Sequence, residues 1–226
     1  MKLIAPFYVH PLESPSDWTS LVDGDLSCDF AIVNVHNGPG ETLDPAYEKA
    51  LSNGSRTPLL GYIPLGYGRR TSDDVIHDGR LWRDRYDVTN LFLDEAPAAP
   101  REDCDTIDLI AQLRRNGATH IVTNPGTCPS PDLVDASDIT CVIETDWQAY
   151  RQAASSSAEE LVDCDPSQLM HIVHGVPPHE YDKTVTMAKD LGADYLWVTD
   201  ATLPNPWGRL PAEYAEVRRL IDESQN

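Results

Sequence analysis

Eight short apolar runs recur along the chain, at residues 3–9, 30–35, 59–63, 90–94, 120–123, 139–143, 169–173 and 195–199. Between them lie segments with helical spacing, among them 45–52, 72–83, 106–116, 147–154, 181–191 and 212–223, several introduced by Asp or Ser in capping positions. A strand with one wet face alternates polar and apolar residues; these do not alternate, so they predict a parallel sheet covered on both faces. Parallel neighbours need a crossover, and the intervening segments supply it. Eight such units in 226 residues predict a (β/α)8 barrel, a TIM barrel, as a single domain spanning 1–226. The alternative, an open doubly wound sheet, would carry GxGxxG after a strand. The nearest turn, "GYGRR" at 66–70, lacks the third glycine, and no nucleotide cofactor is expected. Ser155 to Ser157 and the Pro177-Pro178 pair mark loops.

A parallel barrel brings the C-terminal ends of its strands to one mouth, where barrel enzymes do their chemistry. In strand order, the residues at those ends are His10; Asn34 and Asn37; Tyr67; Asp94 and Glu95; Asn124; Glu144; His174; and Asp200. Neutral amide, imidazole, phenol and carboxyl groups in a ring suit a ligand rich in hydroxyls, such as a saccharide. Within "LFLDEAP" two adjacent carboxyl groups close an apolar strand. Each raises the other's cost of ionisation, which is unfavourable unless it is used. Cleavage of an acetal needs one carboxylic acid to protonate the leaving oxygen and one carboxylate at the anomeric carbon. Asp94 and Glu144 supply that pair, and Glu95 is placed to raise the pKa of a neighbouring carboxyl group. Strand alternation lets only one of Asp94 and Glu95 point straight inward, so their roles are exchangeable at this level.

The formal charge of −20, from 37 acidic and 17 basic residues, sets a repulsive field against nucleic acids and anionic membranes and favours a neutral or cationic partner. Five cysteines without CxxC or Cys/His spacing indicate neither a disulfide framework nor zinc. The absence of HxH and HxxxH leaves no metal site expected. "MKLIAPFYVHP" is too short in its apolar run for a signal peptide and reads as a first strand, so a cytoplasmic protein is expected unless a leader has been removed. No apolar stretch approaches the roughly 20 residues of a membrane span. A phosphate-handling barrel would want basic or glycine-rich loops after strands seven and eight, and "HGVPPHEYD" and "TDATLPNPWG" are poor in both.

The ordered series "NGPG" (37–40), "LLGYIPLGYGRR" (59–70), "LFLDEA" (91–96), "TNPGT" (123–127), "VIETD" (142–146), "HG" (174–175) and "WVTDA" (197–201) resembles the spherulin-4 family over nearly the whole chain. The resemblance implies a TIM-barrel glycoside hydrolase of the kind whose fungal members are endo-acting α-1,4-N-acetylgalactosaminidases. Their substrate is galactosaminogalactan, which contains N-acetylgalactosamine and partly deacetylated galactosamine. It also carries the family's acidic pair and later glutamate onto Asp94, Glu95 and Glu144. The chain departs from the family at Val35 and His36 before "GPG" and at Pro64 and Leu65 in "GYIPLGYG", positions expected to line the groove. Trp147 and Trp207, after the sixth and eighth strands, are expected either to stack on sugar faces or to pack against helices. A saccharide-binding barrel without catalysis is the competing class, because a fold alone licenses no activity.

Overall fold

The structure, a computed structural model, describes residues 1–99, 105–153 and 164–224. The expected loop at Ser155 to Ser157 and Cys104 lie outside the described residues. In chain order the elements are β1 (Lys2–Phe7), α1 (Pro15–Val22), β2 (Phe30–Val33), α2 (Pro45–Leu51), β3 (Leu59–Pro64), α3 (Ser72–Tyr86), β4 (Asn90–Asp94) and α4 (Thr106–Arg115). They continue with β5 (His120–Thr123), α5 (Pro131–Ala136), β6 (Ile139–Asp146), α6 (Trp147–Ala153), β7 (Leu169–His174), α7 (Tyr181–Asp190), β8 (Tyr195–Val198) and α8 (Tyr214–Glu223). All neighbouring strands are parallel and run in sequence order. The sheet closes where Lys2 and Leu3 of β1 pair with Tyr195 and Leu196 of β8. This is the (β/α)8 barrel that the alternation of strands and helices predicts.

Among the described residues, two of the eight α-helices, α1 and α5, lie outside the sequence-based expectations. At eight and six residues they are too short to show a 3.6-residue period. Each nevertheless begins Ser-Pro, with proline at the first helical position, where its missing N–H costs nothing. The longer helices follow their caps. Thr71 accepts a hydrogen bond from the Asp74 amide at the start of α3, whose last turn carries Arg83 and Arg85, and Asp87 closes it in a left-handed conformation. Asp44 and Asp105 cap α2 and α4 in the same way.

Strand ends also differ from expectation. β1 stops at Phe7 and β2 at Val33, because the chain leaves the ladder for turns such as the one in which the Val35 amide bonds the Gly38 carbonyl. β6 instead runs three residues further, to Asp146, held by pairing with β7 out to His174.

Which residues face the barrel interior follows from the aromatic contacts. Phe7 meets Trp18 of α1, with ring centroids 5.3 Å apart, and so faces the helix layer. Tyr8 meets Tyr62, at 5.5 Å, and faces inward. Tyr62 in turn stacks on Phe92 of β4. Gly61, the outward neighbour of Tyr62, has Trp82 of α3 against it. A Cβ there would lie 2.6 Å from the indole carbons, so only glycine lets the helix approach this closely. The Trp82 indole N–H completes the contact by donating to the Tyr62 carbonyl at 2.9 Å.

Candidate active site

Asp94, the last residue of β4, and Glu144, near the end of β6, are separated by β5 alone. Asn124, one residue past β5, fills the gap. Its Nδ2 donates to Asp94 Oδ1 at 2.9 Å and to Glu144 Oε2 at 2.5 Å. The amide cannot turn over, because its Oδ1 accepts the Gly126 backbone N–H at 3.0 Å in the turn of "TNPGT". Backbone bonds staple this rim beyond the strands proper: Asn124 donates to the Leu93 carbonyl and Ala96 donates to that of Asn124. Tyr62 completes the clamp on Asp94, its hydroxyl donating to Oδ2 at 2.7 Å.

Glu144 reaches this position through an irregularity in β6. Cys141 and Glu144 are three residues apart, so regular alternation would point them to opposite faces. The register with β7 shifts between Cys141 and Ile143, and both then lie where the site's carboxyl charges act on them. A bulge at the rim of a barrel re-aims a side chain in this way.

Burial is the largest influence on both carboxyl groups and pushes each above its ordinary range. At Asp94 the hydrogen bonds from Tyr62 and Asn124 oppose it and the charge of Glu95 adds to it. At Glu144 the Asn124 bond opposes it and the charge of Asp94 adds to it. Such a pair can divide its work, one member holding a proton while the other stays ionised. Glu95 stands immediately above, in the left-handed region at φ 51, and its carbonyl accepts the amide of Tyr67, which is itself left-handed at φ 55. Two bulky residues in that region, bonded to each other at a barrel mouth, mark a strained rim of the kind that functional sites retain. Tyr67 is 48% exposed there, and the charges of Glu95, Asp94 and Glu144 all act on it.

The other rim residues are engaged differently. Nδ1 of His10 accepts the Leu12 amide, which places its proton on Nε2, facing Asp44 of the α2 cap at 3.4 Å. Oδ1 of Asn34 accepts the Gly38 amide, closing the "NGPG" turn in which Asn37 is left-handed at φ 49. Asp200 takes two hydrogen bonds from Arg209 and one from the Ala212 amide. The Arg209 guanidinium chiefly holds its carboxyl down, to about 2. His174 packs edge-on against Trp207 at 6.0 Å, and burial lowers its pKa against the opposing charge of Asp146. Trp147 is buried beside Tyr150, which is helix packing. Leu65, expected in the groove, is 2% exposed and turned into the core.

Two residues of the site have no counterpart in the sequence-based expectations, Tyr62 and Tyr8. Tyr62 lies inside a strand, away from the strand end where the pattern of parallel strands points. A first strand running to residue 9 puts His10, not Tyr8, at the mouth, whereas β1 ends at Phe7. The available signal was "FYV": with β1 ending at Phe7, the next residue takes the inward side.

Residues 2–221 match the model of spherulation-specific family 4, Spherulin4. The chain belongs to the spherulin-4 family. Among solved structures this spherulin-4 member is similar to Aspergillus clavatus Sph3, crystallised in complex with GalNAc. The TM-score is 0.80 at 22% identity, over 97% of this chain and 96% of that one. It is also similar, at a TM-score of 0.53, to the Amycolatopsis orientalis BexX/CysO complex (17% identity, 98% of this chain, 87% of that one). The N-(5'-phosphoribosyl)anthranilate isomerase of Pyrococcus furiosus gives the same score (11% identity, 98% of each chain). At these identities the likeness is one of fold. No curated protein sequence matches the chain.

Proposed function

We propose that the protein is an endo-acting glycoside hydrolase that cleaves an α-linked polysaccharide of N-acetylgalactosamine and galactosamine, with Asp94 and Glu144 as its two working carboxyl groups. The observation that carries this reading is the Asp94–Asn124–Glu144 bridge at the barrel mouth. The facing carboxyl oxygens are no farther apart than those two hydrogen bonds laid end to end. That supports a retaining course, for which the groups stand about 5–5.5 Å apart, over an inverting one, at about 6.5–9.5 Å. The family membership, and the complex of Sph3 with GalNAc, support an amino sugar as the substrate unit.

In this reading Glu144 is the general acid, and later the base that deprotonates the incoming water. It has the longer arm and a single side-chain hydrogen bond, and burial together with the charge of Asp94 favours its protonated form. Asp94 attacks the anomeric carbon. It is short and clamped by two donors, both of which favour the carboxylate. Glu95 tunes Asp94 by its charge.

The test is incubation with a partly deacetylated N-acetylgalactosamine polymer and a panel of other α-glycans, with new reducing ends counted. Cleavage is expected for the galactosamine polymer. A barrel that only binds saccharide releases no ends from any glycan, and that result would overturn the proposal. If instead the substrate's own acetamido oxygen were the nucleophile, Asp94 would orient it and Glu95 would be the acid, and complete deacetylation would abolish cleavage.

A further inference from the structure

The two side-chain donors that reach the carboxyl pair are committed to it. The Asn124 amide is spent on Asp94 and Glu144, and the Tyr62 hydroxyl on Asp94. A saccharide can donate its hydroxyls to carboxylates. Its ring and glycosidic oxygens, and the carbonyl of an acetamido group, can only accept, and beyond the one proton that Glu144 holds for the leaving oxygen the carboxyl pair has nothing to give them.

Tyr8 supplies a further donor. It follows β1 directly, its ring meets Tyr62 edge-on at 5.5 Å, and its backbone N–H is anchored to the Trp207 carbonyl at 3.1 Å. The phenol faces the same inward space as Asp94 and Glu144, whose charges both act on it, and the residue as a whole is half-buried. Among the described residues no group hydrogen-bonds its hydroxyl, nor is that oxygen one of the buried unpartnered atoms. A tyrosine that merely filled space here would be served as well by phenylalanine.

We propose that Tyr8 is a catalytic residue of the hydrolase inferred above, its hydroxyl donating to an acceptor-only oxygen of the saccharide at the cleaved bond. Burial first, and then the neighbouring acidic groups, hold the phenol un-ionised, so it stays a donor throughout the working pH range. A neutral donor aimed at the leaving oxygen, which gains negative charge in the transition state, acts on kcat/KM without disturbing the proton held by the carboxyl pair.

The experiment compares wild type with Tyr8→Phe on fully acetylated and fully deacetylated galactosamine oligomers, on whichever of them the wild type cleaves. A fall in kcat/KM of about 10- to 100-fold is expected. A loss on both substrates identifies the leaving glycosidic oxygen as the acceptor, and a loss confined to the acetylated one identifies the acetamido carbonyl. The variant's pH profile is expected to keep its acid limb and its melting temperature to stay within a few degrees, because the hydroxyl bonds neither carboxylate and the ring contact with Tyr62 remains. Wild-type kcat/KM in Tyr8→Phe would overturn the inference while leaving the hydrolase reading standing. So would a displaced acid limb or a large loss of stability, since either would show that Tyr8 acts through its neighbours. A wild-type protein that cleaves nothing would remove the hydrolase reading, and this inference with it.

Discussion

Asp94 and Glu144 share one hydrogen-bond donor, the Nδ2 of Asn124, across the strand that separates them. Two buried carboxyl groups bound to one amide are coupled, and the first consequence is kinetic. Replacing Asn124 with alanine removes a bond that favours the ionised form of each. Both pKa values are expected to rise further, moving the acid limb of kcat/KM to higher pH, with a loss of about 100-fold as the pair loses its alignment. An unchanged pH profile would show that the bridge does not set the ionisation of the pair.

Glu95 acts in the opposite sense. Its charge raises the pKa of Asp94, so Glu95→Gln is expected to lower it. If Asp94 must be ionised to react, the acid limb of the variant then moves to lower pH. A limb that stays in place, with activity abolished, would instead make Glu95 a direct participant.

The assignment of acid and nucleophile separates cleanly on a substrate with an activated leaving group. Glu144→Gln should retain much of its activity there, because protonation of the leaving oxygen is no longer needed, and be rescued by azide, which attacks the glycosyl-enzyme with no proton to lose. Asp94→Asn should remain inactive on both substrates. Full activity of Glu144→Gln on the natural polymer would refute the assignment.

Glu144→Gln should also be more stable than wild type at neutral pH. The folded-state pKa of Glu144 is raised above its unfolded value of about 4.3, so ionisation opposes folding. The destabilisation of the wild type therefore grows as pH rises from the unfolded value through the folded one, and it is absent below both. Glutamine can keep the bond from Asn124 without the charge. A higher melting temperature at pH 7, at about 2–4 °C per kcal/mol for a chain of this size, should fade as the pH falls toward 4. Equal melting temperatures at both pH values would contradict the shift.

Gly61→Ala tests the packing beneath the site. The new Cβ would meet the Trp82 indole at 2.6 Å, and overpacking of this kind costs about 1–3 kcal/mol. Because Gly61 adjoins Tyr62, activity should fall along with the melting temperature.

Much of this molecule is legible in the one-dimensional pattern. Eight continuous apolar runs separated by crossover segments leave few topologies, and the barrel follows because every strand needs both faces covered. The same pattern locates the mouth, and with it Asp94, Asn124 and Glu144, since the ends of parallel strands converge on one side. Short helices begun by Ser14-Pro15 and Ser130-Pro131 escaped because one or two turns carry too few residues to display a period.

Tertiary structure alone decided which rim residues meet. His10 and Asp200 stand at strand ends as Asp94 does, yet one turns to a helix cap and the other to Arg209. Those outcomes depend on partners 34 and nine residues away, and no local spacing encodes such distances. The inward aim of Tyr8 and Tyr62 follows from β1 ending at Phe7 and from Gly61 facing Trp82, because a one-residue change in strand phase exchanges inside for outside. Glu144 depends on the register shift in β6 for the same reason. Composition and period set the fold, whereas the aim of each side chain was settled by the packing of elements far apart in the chain.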